Sequence, residues 1–453
     1  MSRSKSVLKI LRSELEPSFG CTEPVAVGLA TSIAYNAAKG SLPSWLHVQL
    51  TPVTVLDDIT QESIERIVID LDRFTYRNGL DVEIPGTGKR GSVVAAALGV
   101  FCNPNKRLSI FEDSETENLQ RIEALLEADR VRLNILNRKA SSIYIKAKVL
   151  TKRLNGFSNE GIAIIEDSHT NVTSVKRNGR VLYKKENRDH KELCKNMKIL
   201  AATGLEEIID TVKKLPEEYQ DLIRKSMRMN LSAAKVGISK KPGLKVGYTL
   251  KRLRDEKILG NDMINHAIAL TSAAVDTRMS GQIVPVMSCA GSGNQGLTAT
   301  LPIMAVAERQ GWNEDRVVRA VALSYLITCY CTSHLGYLST LCGGAIKAGV
   351  GAAAGIAYYL GGELQQVDSA MKNMMESITG LICDGAKTSC AIKLTVVSGA
   401  AVESALLALN SVTTPSQSGI NGKNLEETIQ NIKRISESMT ETNEAILEII
   451  SGK

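Results

Sequence analysis

Ile143-Tyr-Ile-Lys-Ala-Lys-Val149, Ile162 to Ile165, Val172 to Val175 and Val181 to Tyr183 form a run of strand patterns uninterrupted by any helical segment. In the first of these, apolar residues fall at every second position, the period of a half-buried strand. Asn178-Gly179 separates the last two and is a dipeptide favoured in two-residue hairpin turns. Upstream of this run the elements alternate. Ser6 to Glu16 has helical spacing, and Val25 to Lys39 reads as a helix started by Pro24. Trp45 to Leu50, Asp81 to Pro85, Leu108 to Phe111 and Val131 to Ile135 read as strands, with helices from Gly91 to about Phe101 and from Ser114 to Asp129. Downstream, the polar, basic stretch Lys184 to Lys198 marks a boundary, after which nearly everything reads as helix. The expected fold class is α+β: an α+β domain over residues 1–190, then a mostly α-helical domain over 191–453.

A chain of 453 residues is long enough for two domains. Hydrophobic residues at 43% and charged residues at 23% exclude wholesale disorder. Aromatics at 4% argue against a base-stacking surface for single-stranded nucleic acid. The basic stretch Lys235 to Lys257 contains Tyr248 alone as an aromatic and reads as a solvated face. A net charge of +7 over this length is mild and compatible with a small anionic substrate. Nine cysteines, an odd count, follow an N-terminus with no apolar signal core. A reducing cytoplasm is expected, without a disulfide framework. The most apolar runs are short or broken, by Arg319, Lys347, Lys393 and Glu403, so no membrane span is expected.

Two segments match G-x-G-x-x-G. Gly86-Thr-Gly88-Lys-Arg-Gly91 lies between a strand pattern and a helix, with Glu112-Asp113 about twenty residues on, the spacing of a dinucleotide fold. Against it, Asp81-Val-Glu-Ile84 alternates like a half-exposed strand, Pro85 restricts Ile84, and consecutive strands replace a second mononucleotide half. A glycine turn binding an anion through its amides is the favoured reading. Gly291-Ser-Gly293-Asn-Gln-Gly296 opens a convincing helix but follows no convincing strand. Its free amides, with Ser292, Asn294 and Gln295, suit a carboxylate or phosphate.

The cysteines carry the sharper signal. Ile382-Cys383-Asp-Gly-Ala-Lys-Thr-Ser-Cys390 brackets a polar loop, and Cys342 precedes Gly343-Gly344. A continuous helix would hold Cys383 and Cys390 about 10 Å apart, whereas a loop lets them converge. Three thiolates on three helix ends could hold three irons of a cubane and leave the fourth open. Cys329 and Cys331 read as fillers, and zinc lacks a fourth protein ligand. Cys21, in Gly-Cys-Thr-Glu-Pro just before a helix, is expected to have its pKa lowered by the helix end, though a filler role is an equal reading. Of five histidines, His169 in Ser-His-Thr-Asn171 joins two strand patterns.

These segments resemble the L-cysteine desulfidase family, related to the α-chain of the iron–sulfur L-serine dehydratases. The resemblance rests on Gly20-Cys21-Thr22-Glu23-Pro24, Ile84-Pro-Gly-Thr-Gly88, His169-Thr-Asn171, Asp276-Thr-Arg278-Met279, Gly291 to Thr300, Leu341-Cys342, Ile382 to Ala386 and Ser389-Cys390-Ala391, in family order over almost the whole chain. It implies a [4Fe–4S] enzyme that splits L-cysteine into sulfide, ammonia and pyruvate without pyridoxal phosphate. Cys342, Cys383 and Cys390 look like the cluster ligands and Cys21 like the catalytic thiol. Thr87 and Gly88, with Ser292, Gly293, Asn294 and Gln295, look like substrate-holding elements. His169, Asn171 and Arg278 are similar to family site residues. Ser288-Cys289-Ala290 departs from the family's Ser-Asn-Ser and brings an extra thiol near the pocket.

The mechanism expected is removal of the Cα proton by Cys21 while iron takes the substrate sulfur and the Ser292 to Gln295 turn holds the carboxylate. L-Serine would use the same site. Two rivals stand beside it: an NAD-dependent oxidoreductase using Gly86 to Gly91 with Glu112 or Asp113, and an iron–sulfur redox sensor. The expected partner is an amino-acid substrate, with no nucleic acid, no membrane and a possible homodimer.

Overall fold

The computed structural model describes residues 3–46, 63–112, 114, 116–136, 143–153, 156–185 and 196–452. An α+β part comes first and a mostly helical part follows. The helices of the first part are α1 (Arg3–Glu14), α2 (Thr22–Ala38), α3 (Arg73–Gly79), α4 (Ser92–Gly99) and α5 (Thr116–Glu127). Its strands are β1 (Leu15–Ser18), β2 (Ser63–Asp72), β3 (Val131–Leu136), β4 (Tyr144–Lys152), β5 (Ser158–Glu166), β6 (Val172–Arg177) and β7 (Arg180–Lys184).

β2 to β7 make one six-stranded sheet in the order β3-β2-β4-β5-β6-β7. Only β2 and β3 run parallel; every other neighbour is antiparallel. Ile145, Ala147 and Val149 on β4 and Ala163 and Ile165 on β5 are buried on one face, as their period-2 spacing demands. Helix α2 lies across that face. It comes so close that a Cβ on Gly161 would stand 1.9 Å from the Ala34 carbonyl oxygen. The β6–β7 turn places Asn178 and Gly179 both at positive φ, 46° and 78°, the geometry that this dipeptide tolerates.

The helical part comprises α6 (Leu205–Lys213), α7 (Glu217–Lys240), α8 (Val246–Asp255), α9 (Met263–Met279), α10 (Gly293–Gln310), α11 (Glu314–Leu335), α12 (Val350–Tyr359), α13 (Leu364–Ile378), α14 (Cys390–Leu409), α15 (Leu425–Ser438) and α16 (Thr440–Ser451). A π-helical turn, Gly344–Gly349, leads into α12. The buried helix α9 packs against α7, α8, α10 and α14. Two hydrophobic cores result. One joins α2, α4 and the sheet; the other joins the helices from residue 200 onward and takes in α1 and Cys21. The strand β8 (Val286–Cys289) pairs antiparallel with β1, so the N-terminal segment is stitched to the helical part.

Several sequence expectations are corrected. Asp81 to Pro85 forms no strand, only an isolated bridge between Glu83 and Arg90. Leu108 to Phe111 is the end of a 3-10 helix, Pro104–Ser109, and a turn; Asn103 caps that helix by accepting from the Asn105 amide, and Pro104 fixes its first turn. Gly86 to Gly91 therefore sits in no strand–turn–helix–strand unit, and the dinucleotide reading loses its scaffold; Glu112 lies in a turn and Asp113 lies outside the described residues. The strand β8 does precede the Gly291 turn, contrary to expectation. Of the expected strand Trp45 to Leu50, Trp45 and Leu46 lie in a turn and the rest falls outside the described residues, as does most of the boundary stretch Lys184 to Lys198. Among the described residues one helix, α14, is long and apolar enough to cross a membrane by length and composition alone, yet half of it is buried against neighbouring helices that include α9, α12 and α13.

Candidate active site

Two backbone hydrogen bonds decide where the cysteines go. The Cys342 amide donates to the Leu381 carbonyl at 2.8 Å, and the Cys383 amide donates to the Thr340 carbonyl at 2.7 Å. They clamp a single antiparallel bridge, Leu341 to Ile382, between two loops 41 residues apart in the chain. Each cysteine follows the bridged residue by one. Gly385, at φ 100°, then turns the chain, and Cys390 opens α14 with its amide bonded to the Lys387 carbonyl at 2.9 Å. All three thiols line one cleft, whose empty volume is about 720 Å³ with its mouth included.

The surroundings of the trio are cationic. Asp384 is ion-paired to Lys387 and Lys393, and Lys393 also donates to the Ile382 carbonyl at 3.0 Å. Lys347, fully buried on the π turn, donates to the carbonyls of Gly336 and Tyr337 at 2.7 and 3.0 Å. Burial pulls its pKa down to about 8, against the opposing pull of Cys331, Cys383 and Cys342. Burial pushes the Cys390 thiol up to about 12, and Cys342 is raised by burial and by Cys383. Among the described residues no three His, Cys, Asp or Glu side chains converge tightly enough for a single metal ion. The trio instead offers three soft donors lining one cleft, with Lys347 and Lys393 near enough to offset thiolate charge. That donor set fits an iron–sulfur cubane.

Across the cleft stands Cys21, the residue before α2. Its side chain does not cap the helix; it donates to Glu23 Oε2 at 3.0 Å. Glu23 also accepts from Thr22 Oγ1 at 3.1 Å and, at Oε1, from Asn78 Nδ2 at 2.8 Å. The expected lowering of the Cys21 pKa is corrected here. Burial first and the Glu23 charge second raise it well above the ordinary thiol value, with Arg278 pulling the other way. The helix end is a weaker influence than loss of water. For Glu23 burial is again the largest influence and favours the acid. The nearby His169, with bonds from Cys21 and Asn78, outweighs it and holds the carboxyl well below its usual range. His169 Nε2 lies 3.9 Å from Glu23 Oε1, beyond hydrogen-bond reach, so its influence is chiefly through charge.

The Gly291 turn forms the third wall. Ala290 and Gly291 sit at φ 47° and 73°, and Ser292 caps α10 by accepting from the Gln295 amide. The glycines are needed for approach. A Cβ on Gly291 would stand 2.9 Å from His169 Nδ1, and one on Gly293 would stand 2.2 Å from Arg278 Nε. Arg278 is buried and gives Nη1 to Asn294 Oδ1 at 2.9 Å. Its Nε and Nη2 have no partner among the described residues, nor does Gln295 Oε1. Buried guanidinium donors without acceptors are costly, and an anionic ligand would satisfy them.

The structure brings Cys21, Arg278, Ser292, Asn294, Gln295 and the three cysteines to this one cleft. It does not bring Thr87 and Gly88 there. The Thr87 hydroxyl is spent on its own turn, donating to the Ile84 carbonyl at 2.8 Å. His169 and Asn171 line a neighbouring cavity that shares Gly291 and Tyr337 with the cleft; Asn171 bonds to the Glu166 carbonyl and accepts from Lys185. Cys289 and Cys329 are buried behind the turn with sulfurs 3.9 Å apart. Glu23, Asn78 and Lys347 are the residues that motif reading missed. For Lys347 the signal was present: a lone lysine in the apolar run from Ala345 to Leu360.

Comparison with known proteins adds the family. The chain is similar over its whole length to proteins named UPF0597 protein. It is 37% identical over 457 residues to that of Desulfatibacillum aliphaticivorans, covering 99% of this chain and 98% of the relative. It is 34% identical to that of Clostridium tetani, covering 99% of each, and 35% identical to that of Caldanaerobacter subterraneus, covering 98% and 97%. The family model described as serine dehydratase alpha chain matches residues 105–448, a stretch that contains Arg278, the Gly291 turn and Cys342, Cys383 and Cys390 but not Cys21. The chain therefore belongs to the serine dehydratase α-chain family, a family of lyase type known for iron–sulfur dependence.

Proposed function

We propose that this protein is a [4Fe–4S]-dependent lyase that eliminates sulfide from L-cysteine, yielding 2-aminoacrylate, which with water gives pyruvate and ammonia. One observation carries the reading: three cysteines, a buried arginine with two unsatisfied donors and a thiol–carboxylate pair all face one cleft. Cys342, Cys383 and Cys390 would hold the cluster. When bound, it supplies a Lewis-acidic iron corner for the leaving group.

The chain's own residues do the rest. Arg278 takes the substrate carboxylate with Nε and Nη2, positioned by Asn294. The amide end of α10 at Ser292 to Gln295 favours the negative charge that builds as Cα loses its proton. Cys21 Sγ receives that proton. The Cα–H electron pair becomes the new Cα=Cβ bond, and the Cβ–S pair leaves with sulfur. Lys347, buried beside the trio, offsets its negative charge. Free cysteines at all eight described positions and an oxygen-sensitive cofactor support a cytoplasmic setting.

The name of the matched family favours a second substrate, L-serine, with hydroxide in place of sulfide as leaving group. Anaerobically reconstituted protein supplied with each amino acid separates the two by pyruvate released. The proposal expects kcat/KM for L-cysteine to exceed that for L-serine by at least about tenfold. The reverse ratio makes the protein a serine dehydratase, and no pyruvate from either ends the lyase reading.

A further inference from the structure

Cys21 presents a difficulty to any account that makes it the base. It is buried, it stands beside a carboxylate, and its sulfur holds its own proton, since it is the donor in the 3.0 Å bond to Glu23 Oε2. A thiol that keeps its proton cannot accept another. The acceptor of that bond is a carboxylate in direct contact with the sulfur, and it is held in place from three sides. Thr22 Oγ1 and Cys21 Sγ converge on Oε2, and Asn78 Nδ2 fixes Oε1. Asn78 is itself oriented by Arg77, whose Nε donates to Asn78 Oδ1 at 3.4 Å while Nη1 and Nη2 bind Asn443 Oδ1 and the Ser339 carbonyl. The carboxylate is therefore built in, facing the sulfur, with no water needed between them.

We propose that Cys21 and Glu23 act as a proton relay: Cys21 passes its Sγ proton to Glu23 Oε2 as Sγ takes the proton from the substrate Cα. The inference deepens the lyase reading and rests on it. Protons balance: the Cα proton ends on sulfur, the sulfur proton ends on Glu23, and the Cα electron pair moves into the new double bond. Return of the proton from Glu23 to the departing sulfide, through Cys21 or solvent, resets the pair. Glu23 acts through Cys21 and is a positioning and proton-accepting residue. The charged groups that face the pair are Arg278 from α9, His169 from the β5–β6 connection and Lys347 from the π turn. All three are potential cations, so they keep Glu23 ionised between turnovers, the state in which Oε2 can accept the Cys21 proton.

The test compares Glu23→Gln, Glu23→Asp and Cys21→Ala with wild type as anaerobically reconstituted holoenzymes. Two quantities are read across pH: kcat for pyruvate from L-cysteine, and the rate of Cys21 alkylation by iodoacetamide, followed on the Cys21 peptide. Gln removes a negative charge beside the thiol, so Cys21 should alkylate no more slowly than in wild type. Under the relay, kcat of Glu23→Gln nevertheless falls about 100-fold or more at neutral pH and climbs at alkaline pH as Cys21 ionises unaided, and Glu23→Asp recovers part of the loss. If the thiolate alone sufficed, Glu23→Gln would keep or exceed wild-type kcat, and the relay would be overturned. A uniform loss at every pH, with no alkaline recovery, overturns it too, since that is the mark of disturbed geometry. Full activity in Cys21→Ala would instead defeat the assignment of Cys21 on which the relay rests.

Discussion

Arg278 Nε and Nη2 are buried donors with no partner among the described residues, and Asn294 fixes the guanidinium from its remaining side. Lysine would keep the charge and lose the planar fork. Arg278→Lys is therefore expected to raise KM for the amino acid by roughly 30-fold, about 2 kcal/mol, and to leave kcat within about threefold. Steady-state kinetics on the loaded enzyme checks this; an unchanged KM would remove Arg278 from carboxylate binding. Glu14 gives a prediction of stability. Burial lifts its pKa from 4.5 to about 7, against the bond it accepts from Tyr337. The folded state thus prefers the neutral acid. The stability this contributes is full below about pH 4.5 and is lost as pH rises through 7, a swing of at most about 3 kcal/mol. Glu14→Gln, which has no proton to lose, should match wild type near pH 5 in denaturant melts and exceed it by about 1–3 kcal/mol near pH 8.5. Parallel stability curves would contradict the burial argument. At this scale the sequence is readable where chemistry is local. Gly385 between Cys383 and Cys390 signals a break in the chain, and the chain does break there. It is unreadable where an environment is assembled from afar. The state of Cys21 depends on Glu23 and Arg278, and on burial supplied by residues from the other end of the chain, so reasoning from the helix end alone gave the wrong sign.

Among the elements, the approach of α2 to the sheet is set by missing side chains. Gly161 on β5 meets the Ala34 carbonyl at backbone distance, whereas Gly179 faces open space and needs only its positive φ. Gly161→Ala should thus lose about 2–3 kcal/mol in chemical denaturation and Gly179→Ala about 1 kcal/mol. The reverse order would mean that turn strain and not helix–sheet contact governs this part. The same elements explain which strands could be read. β4 and β5 have one face covered by α2 and the other more exposed, so they alternate visibly. β2 escaped notice. Its register slips between Ile64 and Arg66, which breaks the alternation at one end, and the strand closes on a buried Asp72 that caps α3. Leu108 to Phe111 deceived in the other direction. It is an apolar run because it fills the core under α2, in turn conformation. Short apolar runs report burial and leave the backbone undecided.

For the whole molecule, the cleft exists because two cores are joined more than once. α1 and β1 leave the first part to pack in the second, which carries Cys21 and α2's first turn to the Gly291 turn. From the opposite side α16 reaches back: Asn443 binds Arg77, and Glu444 pairs with Arg73 at 2.6 Å. Arg77 also holds the Ser339 carbonyl, just upstream of the Leu341–Ile382 bridge. The cysteine trio is thereby fixed relative to the Cys21–Glu23 pair through Asn78, whose Oδ1 lies 3.9 Å from Cys383 Sγ. None of these long-range links has a local signature, which is why the class of fold was legible in the sequence and the assembly of the cleft was not. The central claim is that Cys342, Cys383 and Cys390 jointly hold a cubane. Iron and acid-labile sulfide, measured per chain after anaerobic reconstitution of wild type and of each single cysteine-to-alanine variant, test it most directly. The account expects about four of each in wild type, with a marked loss in all three variants and none in Cys329→Ala. Wild-type iron and sulfide in Cys383→Ala would contradict it.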